Sequence, residues 1–307
     1  MLRIIEKTKL WFSISAIVIL IGIGTMATRG LDFGIDFAGG SIIQIKVPDK
    51  FTNEDRLEAE KIIKKEIPDA TTNFAELKTE SDKTLKTIEV KTKSKTDSVN
   101  AGKVTTAVKE LQETFKDKGG KDIDVASQEE TGSTMGKETR DKAVLAVIIA
   151  TIAMLIYIRV RFEMKFAVAA VISLVHDVLV TLTFYAVFRM QIDSGFVAAM
   201  LTVIGYSIND TIVVFDRIRE NQKYMTKSSV TELANASMTQ TMARSINTGL
   251  AVIITLIAVY IFVPSIRNFS APLLIGILTG CYSSLFVATP FWVIFKEKGR
   301  KKVATAR

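Results

Sequence analysis

Apolar and polar positions alternate along this chain in blocks. Six stretches carry few or no charges: Leu10–Thr28, Ala143–Ile158, Phe166–Phe188, Phe196–Phe215, Ser245–Ile266 and Ala271–Phe295. At about 1.5 Å rise per residue, about 20 residues cross a hydrocarbon core about 30 Å thick, so each stretch is read as a membrane helix. The second is the shortest and needs flanking residues to reach across. The block 31–140 has other periods. Ser41–Val47 alternates as a strand, Asn53–Glu66 has helical spacing with Leu57, Ile62, Ile63 and Ile67 on one side, and Pro68 stops it. Thr71–Leu77 and Leu85–Lys91 read as strands joined by a turn at Ser81-Asp82-Lys83. Val104, Ala107, Val108, Leu111 and Phe115 mark a second amphipathic helix ended by Gly119-Gly120, and Ile123–Ala126 is a last strand. The order β-α-β-β-α-β predicts a ferredoxin-like α+β domain beside a six-helix membrane bundle.

Composition sharpens this picture. Of 307 residues, 48% are hydrophobic and 23% charged. Such a mixture, segregated into blocks, excludes a soluble enzyme, a disordered chain and a disulfide scaffold. The single cysteine, Cys281, has no partner within the chain. The net charge of +8 invites a nucleic-acid reading, but the placement of the charge argues for a membrane instead. Arg3, Lys7, Lys9, Arg159, Arg161, Lys165, Arg217, Arg219, Lys223, Lys227, Arg244 and the tail 296–307 fall on one side of the six spans, against Arg189 and Arg267 in the opposite short loops. The positive-inside rule then puts both termini in the cytoplasm and 31–140 outside it. The expected layout is 1–30 as N-terminus and first span, 31–140 as the extracytoplasmic domain, 141–295 as the remaining spans with a cytoplasmic loop at 216–244, and 296–307 as a basic tail. A cleaved leader is the competing reading of the first span. Its length and the poor Met26-Ala27-Thr28 cleavage site favour an uncleaved anchor.

Ionisable side chains inside a span cost about 2.5–3.5 kcal/mol each on insertion scales, and they mark pathways or pair with one another. His176 and Asp177 fall in mid-span, Asp210 falls in the cytoplasmic half of the fourth span, and Arg244 starts the fifth. A carboxyl surrounded by hydrocarbon exchanges its proton as its surroundings change. Arginine stays charged and serves as a fixed cation. Asp210 with Arg244 is therefore the candidate proton relay, with Ser207, Asn209 and Thr211 as supporting polar groups and His176 and Asp177 as further support. The same residues also read as permanent interhelix clamps. Asp216, Arg217, Arg219 and Glu220 at the membrane exit read as interface anchors. Gly276-x-x-x-Gly280 reads as a helix-packing face. Asp32-Phe33-Gly34 stands without a phosphate loop or strand lysine, so it is no kinase element. No nucleophile–base pair, metal-ligand cluster or nucleotide motif is present in the sequence, so neither enzymatic activity nor a metal is expected.

Two stretches then carry a resemblance. Gly34-Ile35-Asp36-Phe37-Ala38-Gly39-Gly40 is similar to the glycine-pair element of the SecD/SecF family. Ile204-Gly205-Tyr206-Ser207-Ile208-Asn209-Asp210-Thr211, continuing through Asn221, resembles that family's fourth-span signature, and Ser173–Asp177 and Ala243–Ser245 resemble further elements. Gly34, Asp36, Phe37, Gly39 and Gly40 are thereby signature positions. The resemblance implies membership of the RND superfamily and a pseudo-symmetric partner, SecD. It also implies association with the SecYEG channel, the motor SecA, unfolded preprotein and membrane lipid, with protons as the coupling ion and no other cofactor. Asp210 and Arg244 match the family's relay pair. The run 131–136 lacks the proline often seen before the second span. A non-transporting scaffold of the translocase and a small-molecule exporter of the same superfamily remain the alternative functions.

Overall fold

The chain, described here by a computed structural model, divides into two compact units. One comprises Met1–Asp32, Val144–Phe262 and Ile266–Arg307, and Phe33–Ala143 makes up nearly all of the other. The structure describes all residues except 1, 49, 79–83, 94–97, 132, 264–265 and 306–307, and no side chain is described at 53, 75–78, 84–85, 98–101, 131, 133–134 and 299–305. The turn expected at Ser81-Asp82-Lys83 and Gly132 of the run before the second span lie outside the described residues.

The first helix of the chain, α1, spans Thr8–Arg29 after one 3-10 turn at Ile5–Lys7. The smaller unit then runs α2 (Ile35–Ala38), β1 (Gly40–Val47), α3 (Asn53–Glu66), β2 (Thr71–Lys78), β3 (Thr84–Thr92), α4 (Ser98–Thr114) and β4 (Asp124–Thr131). Its sheet has the order β2-β3-β1-β4, antiparallel throughout, as a split βαβ arrangement requires. The register slips at Gln44/Ile45, a bulge between β1 and β4. Ile43, Ile45, Ile88 and Val90 on one sheet face close over Ile63, Val108 and Leu111 of the helices. A capping box starts α3: Asp55 N–H donates to the Thr52 hydroxyl, and the Thr52 N–H donates back to the Asp55 carboxylate. Leu57 departs from its expected place. It is 63% exposed, because the buried stripe runs Ala59, Ile63, Ile67 and Leu57 sits off that face.

The glycine pair turns the chain into β1. Gly39 (φ 80°) and Gly40 (φ 151°) both have positive φ, and a Cβ at Gly40 would lie 2.2 Å from the Thr92 carbonyl oxygen. A side chain therefore fails there both for backbone strain and for space. Phe37 is buried, and Gly136 approaches its carbonyl.

The larger unit is helical: α5 (Ser133–Arg161, which begins in the smaller unit), α6 (Met164–Phe188), α7 (Ser194–Tyr224), α8 (Val230–Phe262), α9 (Arg267–Ser283) and α10 (Thr289–Thr305). A π-helical turn at Ser284–Ala288 joins α9 to α10, so these two make one crossing. With α1, six helices among the described residues are long and apolar enough to span a membrane. α6, α7 and α9 form the interior, and α1, α5 and α8 expose Leu20, Ile148 and Ile254. Near the basic end Trp292 is fully buried and stacks on Phe166 at 5.0 Å, with Phe215 4.8 Å from Phe166.

Two expectations need correction. The segment 216–244 is not a loop: α7 continues to Tyr224 and α8 begins at Val230, leaving five non-helical residues. Charge marks the end of the uncharged run and leaves the helix intact. Asp216–Arg219 (2.7 Å) and Arg217–Glu220 (2.6 Å) are i,i+3 pairs along α7, while Phe215, Ile218 and Asn221 face inward. Ser229 and Glu232 cap α8, each accepting the other's backbone N–H. Arg244 consequently does not start its helix. It lies about four turns inside α8.

Candidate functional site

The buried acids of the bundle lie on neighbouring helices, and small hydroxyl residues separate them. The reason is packing. Gly276 and Gly280 bring α9 against α7: a Cβ at Gly276 would stand 2.4 Å from Val203 Cγ2, and one at Gly280 would stand 3.1 Å from Ser207 Cβ. On the other side, a Cβ at Gly22 would meet Thr183 Oγ1 at 1.9 Å, so α1 lies close on α6. These close approaches put short polar side chains within hydrogen-bonding reach across helices.

Asp177 on α6 is 1% exposed. Its Oδ1 lies 3.1 Å from His176 Nδ1, and its Oδ2 accepts from Ser207 of α7 and, at 2.9 Å, from Ser283 of α9. Ser173 lies 3.3 Å from Ser283. His176 Nε2 contacts Ser15 of α1 at 3.0 Å, and its ring stacks on Tyr282 at 5.9 Å. Three helices thus meet at one carboxyl, and α1 joins them through the imidazole.

Asp210 on α7 is 8% exposed, and among the described residues its Oδ2 has no hydrogen-bond partner. The Ser245 and Ser284 hydroxyls face the carboxyl, although Ser245 Oγ stands outside direct hydrogen-bond geometry among the described residues. Thr211 contacts Ser284 at 2.9 Å and donates to the Ser207 carbonyl at 3.0 Å. Arg244 is exposed on α8 and acts on Asp210 through its charge, without an ion pair between them among the described residues. The structure thus brings Asp210, Ser207, Thr211, His176 and Asp177 into one polar layer, with Arg244 at its edge. Asn209 is exposed and stands apart from the layer.

Sequence reasoning missed Ser15, Ser245, Tyr282, Ser283 and Ser284. The signal was there in Cys281-Tyr282-Ser283-Ser284, a polar cluster inside an apolar span. Adjacent residues on a helix point about 100° apart, so Ser283 serves Asp177 while its neighbour Ser284 serves Thr211 and Asp210. The π turn begins here, and the Ser284 carbonyl accepts from Thr289 Oγ1, five residues on, at 3.1 Å. Chemically, the layer offers one fully bonded carboxyl beside an imidazole, and one carboxyl with an open oxygen beside a fixed cation.

Comparisons with known proteins agree on one family. The C-terminal region of the protein export membrane proteins SecD and SecF matches residues 110–298, and the SecD/SecF GG motif matches residues 24–47. The chain is 36% identical over 299 residues to the protein translocase subunit SecF of Acidaminococcus fermentans, with 96% of this chain and 97% of that one covered. It is 39% identical over 301 residues to the protein translocase subunit SecDF of Bacillus subtilis, covering 97% of this chain but spanning only 38% of the Bacillus protein. A SecDF crystal structure in a super-membrane-facing form superposes with a TM-score of 0.75 at 26% identity, covering 100% of this chain and 40% of that one.

Proposed function

Since the chain belongs to the SecD/SecF family, we propose that it is the SecF-type subunit of a bacterial Sec translocase, working in the cytoplasmic membrane with a SecD half to draw on the proton-motive force during late export. Asp210 is the proton carrier, and Arg244 is the fixed cation that answers its charge. The supporting observation is the Asp210 carboxyl, buried with one oxygen left without a hydrogen-bond partner among the described residues. A buried acceptor left unpaired costs about 1–3 kcal/mol, so a fold that keeps one has a use for it. One charge crossing the membrane potential supplies about 2.3 kcal/mol per 100 mV, enough to bias two helix packings of nearly equal energy.

The excess of basic residues on one side of the six spans supports an orientation with both termini in the cytoplasm and the sheet domain outside it. SecYEG, SecA and unfolded preprotein are the partners that this reading brings, with no nucleic acid, and the role is transport without catalysis. The SecD half has its own support. Arg244, Asn247 and Thr248 are exposed on α8 within a membrane-length helix, and a polar strip of that kind needs polar cover rather than lipid.

Asp210→Asn tests the relay in liposomes holding the complete translocase. Proton flux coupled to export and the potential-dependent part of export should both be lost, while the complex still co-purifies. Full export activity in that variant would exclude the relay. Loss of co-purification instead would leave a scaffold.

A further inference from the structure

The relay leaves one buried titratable pair unused, and the hydrogen bonds around it fix its proton count. The Trp11 carbonyl only accepts, so Tyr282 commits its single phenolic hydrogen there, at 2.9 Å. In the 3.3 Å contact between Ser15 and Tyr282, Ser15 is then the donor. The one hydroxyl hydrogen of Ser15 is now spent. At the 3.0 Å contact with His176, Ser15 therefore accepts and Nε2–H donates. Across the ring, Nδ1 stands 3.1 Å from Asp177 Oδ1. Two bare lone pairs cannot face each other at that distance, so a second proton lies in this contact, on Nδ1 or on Oδ1. A neutral imidazole beside a carboxylate holds one proton between them, whereas this pair holds two.

We infer that His176 and Asp177 are a second proton-holding site, a net-neutral dyad that keeps its extra proton while α1 lies against α6 and releases it through Nε2 when Ser15 withdraws. On release, the Nε2 proton passes to water. Nδ1 keeps its hydrogen, Asp177 remains a carboxylate, and the pair goes from zero to one negative charge. The groups facing it are few. They are Ser15 and the Trp11 carbonyl from α1, Tyr282, Cys281 and Ser283 from α9, and Ser207, with Asp210 beyond it, from α7. None is a cation, so in this packing the extra proton is what neutralises Asp177. A use for the dyad in export rests on the relay reading above, but the proton count stands on geometry alone.

His176 is the only histidine in the chain, so ring-nitrogen labelling of the full protein, without a histidine tag and in liposomes, gives one pair of imidazole signals. At pH 7, nuclear magnetic resonance should show hydrogen on Nε2 and an Nδ1 hydrogen-bonded to Asp177. Tyr282→Phe frees the Ser15 hydrogen to donate to Nε2, and the Nε2–H signal should then be lost at the same pH while Nδ1–H is kept. A bare Nε2 in the unsubstituted chain, or an unchanged spectrum in Tyr282→Phe, overturns the dyad. Asp210→Asn separates the two readings. Retained proton-dependent export in that variant removes the relay and leaves the imidazole result standing.

Discussion

Two buried carboxyls a few residues apart in space are used in opposite ways. Asp177 has both oxygens occupied, by an imidazole and two serines, whereas Asp210 keeps Oδ2 open. A fully satisfied carboxyl is fixed in place, so the mobile proton of its pair leaves through the imidazole, whereas an open carboxyl exchanges at its own oxygen. Outside the membrane unit, Asp55 shows an acid put to structural use. The Lys118 ammonium, 2.7 Å away, and then the Thr52 N–H hold its carboxyl below the usual aspartate range. A depressed folded-state value means that this stabilisation is present at neutral pH and is lost as pH falls through that value, below about 4. Lys118 is half exposed, so most of the effect belongs to the cap. Asp55→Asn should cost α3 about 1 kcal/mol at pH 7. At pH 3 the variant and its parent should converge, as read by amide hydrogen exchange in the intact chain after correction for intrinsic rates.

Among the elements, close helix contacts decide where polar groups meet. Gly22→Ala would push a methyl group into Thr183 Cβ and Oγ1, and overpacking of this kind costs about 1–3 kcal/mol. Thermal unfolding in detergent should show a lowered midpoint, and adding Thr183→Gly should recover part of it, the signature of direct coupling. The sequence pattern foretold α3 to its end residues and foretold the buried face of α4, because capping and periodicity are local. It also located the acids. It did not disclose the π turn, since Ser284–Ala288 has no local chemistry that distinguishes five-residue from four-residue closure. Nor did it carry α7 and α8 past their uncharged runs, although Ser229-Val230-Thr231-Glu232 is a capping box that would have marked the start of α8. A scan for charge sees the hydrocarbon boundary, whereas the helix follows hydrogen bonds and a buried stripe.

For the molecule as a whole, the exposed polar strip of α8 is the surface with most at stake. A cysteine at Thr248, in a chain whose own Cys281 is replaced by serine, should cross-link to a SecD half in native membranes. One at the lipid-facing Leu20 should not, and equal yields at both would deny that strip a protein neighbour. At the basic end α7 and α8 also continue past their uncharged runs. Asn221 donates to Ser237 at 2.9 Å and to Gln240 at 2.8 Å, and Asn235 accepts the backbone N–H groups of Ile4 and Ile5 at 3.0 Å each, so these continuations of α7 and α8 are bolted to one another and to the chain start. Only the five residues from Met225 to Ser229 turn the corner, about 20 Å along α7 from Asp210. Such a hairpin behaves as a crank. A force taken up at its tip has two continuous helices to follow to the level of the open carboxyl.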